Sequence, residues 1–211
     1  MDYLKDREKP NKEKEKNDPE AIKVILIGDS GTGKTNLITV SAGFEFNSNV
    51  LTTRACSFIQ KKFTFHHAQY KVNIWDTIGQ EKYRSLTKIF VKDSKVVIMV
   101  YDITNRTSFE SLSFWKKIVD DMIKDSPVIG IVGNKMDLYI DEKVKEEELE
   151  EYAKSIGAKY LLTSAKNDAA TFTKFLEELL MDYLKKVPGE RIESFVLEPK
   201  KVKEKEKKKC C

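Results

Sequence analysis

The sequence predicts an α/β fold, with a six-stranded, mainly parallel sheet carrying helices on both faces. Three observations carry that expectation. Short apolar runs alternate with longer stretches of helical spacing along the chain. Two strand-like runs in direct succession, near 57–66 and 69–76, form a single hairpin and so the one antiparallel pairing. A glycine-rich turn, Gly28-Asp29-Ser30-Gly31-Thr32-Gly33-Lys34-Thr35, joins the first strand to the first helix.

Ile22-Lys23-Val24-Ile25-Leu26-Ile27 reads as a buried strand, and Asn36-Leu37-Ile38-Thr39-Val40 as the opening of a helix. Strands are expected near 22–28, 57–66, 69–76, 95–101, 127–133 and 159–163. Helices are expected near 33–42, 82–91, 107–124, 144–156 and 169–186. His66 and His67, between Phe65 and Tyr70, fall on the hairpin and read as surface residues. Phe172, Phe175, Leu176, Leu179, Leu180 and Tyr183 recur at helical spacing and form a core stripe of the last helix. No internal repeat is present.

The glycine-rich turn is a phosphate-binding loop. Glycines at 28, 31 and 33 let the backbone curl so that successive N–H groups point inward, and the helix N-terminus adds partial positive charge. Ser30, Gly31, Thr32, Gly33, Lys34, Thr35 and Asn36 are the expected phosphate-side contacts. Lys34 would reach the β- and γ-phosphates, and the Thr35 hydroxyl would ligate Mg²⁺. Val72-Asn73-Ile74-Trp75-Asp76 is a second strand, and Asp76 ends it where open α/β sheets place ligand chemistry. A carboxylate there can hold Mg²⁺ through water. Gly79 offers an N–H to a γ-phosphate, and the neutral Gln80 can orient an attacking water.

Asn134-Lys135-Met136-Asp137 names the base, directly after the strand Val128-Ile129-Gly130-Ile131-Val132-Gly133. The Asp137 carboxylate can accept from the N1–H and 2-amino edge of guanine, a donor pair that adenine lacks. Mispairing at such a buried polar site costs about 10⁴-fold in discrimination. The Lys135 stem can lie over the base, and Asn134 can tie this loop to the phosphate loop.

With these motifs in place, the chain resembles the Ras superfamily of small GTPases, most closely its Rab branch. The resemblance rests on Gly28 to Thr35, Trp75 to Glu81, Tyr83-Arg84-Ser85-Leu86-Thr87, Val100 to Phe109, Asn134 to Asp137 and Thr163-Ser164-Ala165-Lys166, and spans about residues 22–186. It implies a P-loop GTPase domain that binds GTP and GDP with Mg²⁺ and hydrolyses GTP slowly. It makes Ser164, Ala165 and Lys166 the second guanine loop, with the Ala165 N–H on the base carbonyl. Phe46, eleven residues after Thr35, falls where the family stacks an aromatic on the base. Thr53 falls at the switch I threonine that joins Thr35 and Asp76 on the metal when a γ-phosphate is present. Phe58, Trp75 and Phe90 match an aromatic trio at the effector face; as apolar residues they are equally suited to ordinary packing.

The chain departs from the family in places. Arg54-Ala55-Cys56-Ser57 replaces a hydrophobic, glycine-rich stretch after Thr53. Ile78 stands where the family aligns alanine, beside the Mg²⁺ and γ-phosphate region. Phe90-Val91-Lys92-Asp93 replaces a Tyr-Tyr-Arg-Gly stretch. The alternative to a GTPase switch is therefore a membrane-bound GTP-binding scaffold in which Ile78 has disabled hydrolysis.

At 211 residues and 40% hydrophobic content, the chain suits one core domain with tails. Residues 1–20 have nearly balanced charge and almost no apolar content, and read as a disordered extension. Residues 21–187 form the GTPase domain, and 188–211 a flexible lysine-rich tail. No run of 18 apolar residues exists, and two histidines and three cysteines are too few for a metal cluster. From Pro199 the tail holds seven lysines against two glutamates before ending in Cys210-Cys211. Within the Rab resemblance those thiols carry geranylgeranyl groups, and two lipids with a basic patch meet the two-signal requirement for anchoring. The resemblance further implies effectors, an exchange factor, a GTPase-activating protein and a prenyl-binding chaperone as partners. It implies a monomer on the cytoplasmic face of an endomembrane, with a cytosolic pool. Nucleic acid is not an expected partner, since the lysine patch lacks interleaved aromatics.

Overall fold

Side chains of the first strand alternate between two buried faces. Val24 and Leu26 join one hydrophobic cluster, while Ile25 and Ile27 join another on the opposite face of the sheet. The computed structural model describes residues 21–48, 53, 56–79 and 84–187. Its elements are β1 (Ile22–Ile27), α1 (Lys34–Ser41), β2 (Ser57–Phe65), β3 (Ala68–Asp76), α2 (Arg84–Val91), β4 (Val96–Asp102), α3 (Arg106–Glu110), α4 (Leu112–Met122), β5 (Val128–Asn134), α5 (Glu146–Ser155), β6 (Lys159–Leu162) and α6 (Ala169–Lys186), with a 3₁₀ helix at Met136–Asp141.

The strand order is β2-β3-β1-β4-β5-β6. Only β2 and β3 run antiparallel; every other neighbouring pair is parallel. Helices α1 and α6 cover one face, where Leu37 and Val40 meet Phe172, Phe175, Leu176 and Leu179. On the other face Val91, Trp115, Ile118, Leu149 and Ala153 bring α2, α4 and α5 against the sheet. All seven residues of β4 are buried, as expected of a central strand covered on both sides. The fold is thus the expected six-stranded α/β domain, and the core stripe of the last helix lies where its spacing placed it.

Element boundaries match the sequence expectation to within about two residues, with two differences. The helix expected over 107–124 is two helices separated at Ser111. The buried Ser108 hydroxyl donates to the Asn105 carbonyl at 2.7 Å and accepts from the Asp102 N–H at 3.0 Å, which pins α3 to the end of β4. The 3₁₀ helix after Asn134-Lys135 was not foreseen. In the hairpin, Phe65 pairs with Ala68, so His66 and His67 alone make the turn. Both take positive φ, 46° and 68°, as a two-residue turn matched to strand twist requires, and both are exposed.

This topology gathers the loops following β1, β3, β5 and β6 at the carboxyl ends of the strands, the edge at which open α/β sheets hold ligands. No helix among the described residues is long and apolar enough to cross a membrane.

Candidate nucleotide-binding site

Lys34 begins α1, and its chain folds back under the preceding loop. Its ammonium donates to the Gly28 and Asp29 carbonyls, each at 2.8 Å. Burial pushes its pKa down to about 8, against the opposing pull of the Asp76 and Asp29 carboxylates. Such an ammonium, stripped of water at a helix N-terminus, interacts strongly with an anion. The loop closes tightly around it. A β-carbon at Gly79 would lie 2.6 Å from both the Lys34 Nζ and the Ser30 backbone nitrogen, so only glycine lets the loop after β3 approach this far.

Thr35, one residue on, is the hub of a second cluster. Its hydroxyl donates to Asp76 Oδ2 at 2.7 Å and lies 2.8 Å from the Thr53 hydroxyl. Asp76 Oδ1 is buried and has no hydrogen-bond partner among the described residues. Burial pushes the Asp76 carboxyl upward in pKa, while the bond from Thr35 and the Lys34 charge oppose this. An orphaned buried carboxylate oxygen beside two hydroxyls is an all-oxygen donor set, and it fits a hard divalent cation such as Mg²⁺.

The third cluster is built from the ends of β5 and β6. Asn134 is 2% exposed and uses both ends of its amide. Its Nδ2 donates to the Thr32 carbonyl at 2.9 Å, and its Oδ1 accepts from the Ala165 N–H at 3.0 Å. A β-carbon at Gly33 would fall 2.2 Å from that Nδ2, so this contact exists only because residue 33 is glycine at φ 91°. Ser164 donates to Asp137 Oδ1 at 2.6 Å, and its hydroxyl accepts from the Lys166 N–H at 3.2 Å. The Asp137 carboxylate is thereby held in one orientation.

The three clusters meet in one cavity of about 450 Å³. Ser30, Gly31, Gly33, Lys34, Thr35 and Asn36 line it from the phosphate loop, Phe46 and Thr53 from the segment after α1, and Gly79 from the loop after β3. Asn134, Lys135, Asp137, Ala165 and Lys166 line it from the end of β5 and from beyond β5 and β6. Three sequence-derived residues stand behind the wall. Thr32 supplies the carbonyl for Asn134, Ser164 orients Asp137, and Asp76 holds Thr35. Gln80, Cys210 and Cys211 lie outside the described residues.

Ile78 does not reach the cavity. It is 4% exposed and buried between Thr77 and Gly79, which do line it. Its backbone N–H bonds the half-buried Cys56 thiol, whose pKa burial pushes up. Phe58, Trp75 and Phe90 form a continuous row, with ring centroids 4.8 Å apart for the first pair and 5.8 Å for the second. Phe58 remains exposed. Asp93 takes the left-handed φ of 63° where the family has glycine.

Sequence reasoning missed Ser48, Thr77 and Leu138, which also line the cavity. Thr77 and Leu138 each follow an identified residue directly, and that adjacency was the available signal. It also missed the bond from the Trp115 indole N–H to Asp29 Oδ1 at 3.0 Å, which braces the phosphate loop against α4 across 86 residues.

This combination defines a P-loop nucleotide-binding protein of the guanine-selective kind. The Ras family model matches residues 23–185, and the chain belongs to that family, in the Rab branch of the Ras superfamily. It is 38% identical over 167 residues to Ras-related protein Rab-21 of Homo sapiens, covering 79% of this chain and 72% of the relative. It is 35% identical over 169 residues to Ras-related protein Rab-26 of Bos taurus, covering 78% and 66%. Rab-31 of Rattus norvegicus is 35% identical over 167 residues, covering 79% and 83%. Guanine-nucleotide and Mg²⁺ binding are general to the family.

Asp137→Asn should weaken GDP binding by at least about 100-fold and shift preference toward xanthine nucleotides, whose 2-oxo group needs a donor. Competition by GDP and XDP against a fluorescent nucleotide checks this; unchanged preference would remove Asp137 from base recognition.

Proposed function

We propose that this protein is a GTP-hydrolysing switch that recruits effectors to a membrane during vesicle trafficking. The observation that carries the reading is the single cavity in which a buried ammonium, an oxygen-donor cluster and an oriented carboxylate meet. Those three features answer the β- and γ-phosphates, a divalent cation and the guanine edge in turn. Ser30 to Asn36 would hold the phosphates through the loop N–H groups and Lys34. Phe46, Lys135, Asp137, Ser164, Ala165 and Lys166 would hold the base.

Thr35 and Thr53 would hold Mg²⁺ directly and Asp76 through water. Bound there, the ion neutralises charge on the β- and γ-phosphate oxygens. Gln80 would position a water for in-line attack on the γ-phosphorus, with the bond to the GDP oxygen breaking as the new P–O bond forms. Thr53 stands 18 residues from Thr35 in sequence but within hydrogen-bond distance of it, so a ligand at the γ-position can hold or release this segment. The row Phe58, Trp75 and Phe90, on β2, β3 and α2, would present that state to effectors. An exchange factor, a GTPase-activating protein and a prenyl-binding chaperone would complete the cycle. The alternative, a membrane-bound GTP-binding scaffold in which Ile78 has disabled hydrolysis, is separated from this reading by the turnover assay below.

The domain division follows the same reading, with an extension at 1–20, the GTPase domain at 21–187 and an anchoring tail at 188–211. Geranylgeranylated Cys210 and Cys211, aided by the lysine run, would hold the protein on the cytoplasmic face of an endomembrane.

In a single-turnover assay following phosphate release, wild-type protein should hydrolyse GTP at about 10⁻⁴ s⁻¹ unaided, and Gln80→Leu should be at least about tenfold slower with GTP affinity retained. Equal rates in the two proteins would contradict the role of Gln80, and no turnover in either would restore the scaffold reading. Replacing Cys210 and Cys211 by serine should move the protein from the membrane fraction to the cytosolic one while GTP binding is retained. Continued membrane association of that double variant would assign anchoring to the lysine run or to a partner.

A further inference from the structure

Lys135 lines the cavity, and its ammonium is paired with a residue that does not. The Nζ lies 2.6 Å from Asp102 Oδ2, and Asp102 is not part of the cavity wall. We propose that Asp102 is a positioning residue for guanine-nucleotide retention, acting through Lys135; the inference rests on the guanine-nucleotide reading above.

The strand register sets up the contact. Asp102 ends β4 directly beside Asn134, the last residue of β5, so its carboxylate emerges next to the first residue of the following loop. The Ile103 N–H donates to the Asn134 carbonyl at 3.2 Å, which keeps the two strand ends in step. Asp102 is itself held on every side. Its Oδ1 accepts from the Thr104 N–H at 2.9 Å and the Thr104 hydroxyl at 2.8 Å, and its own N–H donates to the Ser108 hydroxyl at 3.0 Å. At 7% exposure, a carboxylate so fixed needs a counter-charge, and Lys135 is the cation placed to supply it.

Lys135 in turn needs the tether. It adopts a left-handed φ of 71°, a conformation that costs a side-chain-bearing residue energy unless its surroundings enforce it. With its backbone set by that φ and its ammonium fixed on Asp102, the methylenes between them are laid along the cavity wall. A charge-assisted bond at one end of a long chain removes the rotamer freedom that would otherwise be lost when a base binds against the stem. Asp102 therefore acts on nucleotide retention without touching the nucleotide, and its effect should be confined to the base.

The test is a double-variant cycle on the full chain, using Asp102→Asn and Lys135→Met. Asparagine keeps the shape and the bonds to Thr104 while removing the charge. Release of fluorescent GDP into excess unlabelled GDP should be about tenfold faster in Asp102→Asn than in wild type, but less than about twofold faster when the substitution is made in Lys135→Met. Affinity for tripolyphosphate, which lacks a base, should be unchanged by Asp102→Asn. Asp102→Glu keeps the charge and should recover most of the retention; Asp102→Ser, which also removes the charge, takes the place of asparagine in the cycle if that variant folds poorly. Unchanged release in the asparagine variant, equal acceleration in both backgrounds, or parallel loss of tripolyphosphate binding would each overturn the inference. Failure of the underlying reading would appear separately, as wild-type protein that holds ADP as firmly as GDP.

Discussion

The amide of Asn134 is the constraint on which the site depends. One side chain at the end of β5 donates to the phosphate loop and accepts from the loop after β6, joining two segments more than a hundred residues apart in sequence. Each bond contributes about 0.5–1.5 kcal/mol net, but a buried partner left unmade would cost about 1–3 kcal/mol. Breaking this amide would orphan both the Thr32 carbonyl and the Ala165 N–H. The phosphate-binding and base-binding halves are therefore one unit, and Gly33 is the small residue that lets the amide in.

Around this tie the other contacts act as braces. Trp115 holds Asp29 from the side of α4, and the Thr77 hydroxyl donates to the Leu26 carbonyl at 2.6 Å, linking the loop after β3 to β1. Ser164 fixes Asp137. The outcome is a pre-set cavity. Thr53 meets Thr35 hydroxyl to hydroxyl, whereas the phosphate and base loops are joined through the buried amide of Asn134.

Much of this was legible in the sequence, for a physical reason. Glycines at fixed offsets between a buried strand and a helix leave few structures other than a phosphate loop, and Asn134 to Asp137 follow a strand whose apolar run ends abruptly. What escaped was whatever depends on register or on local hydrogen bonding. The Asp102–Lys135 pair requires that Asp102 and Asn134 be neighbours in the sheet, which no local pattern states. The pinning of α3 to the end of β4 turns on the bonds of a single serine, Ser108. The 3₁₀ helix after the base loop buries none of its residues, and Ile140 is 83% exposed, so no buried face gives it a periodic signal.

The most direct measurement is amide hydrogen exchange of wild-type and Asn134→Ala protein, each held at saturating GDP. If the Asn134 amide couples the two halves, protection should fall by about tenfold or more both at Ala165 and across Gly31 to Thr35 of the phosphate loop. Loss of protection at Ala165 alone, with the phosphate loop as slow to exchange as in wild type, would contradict the account.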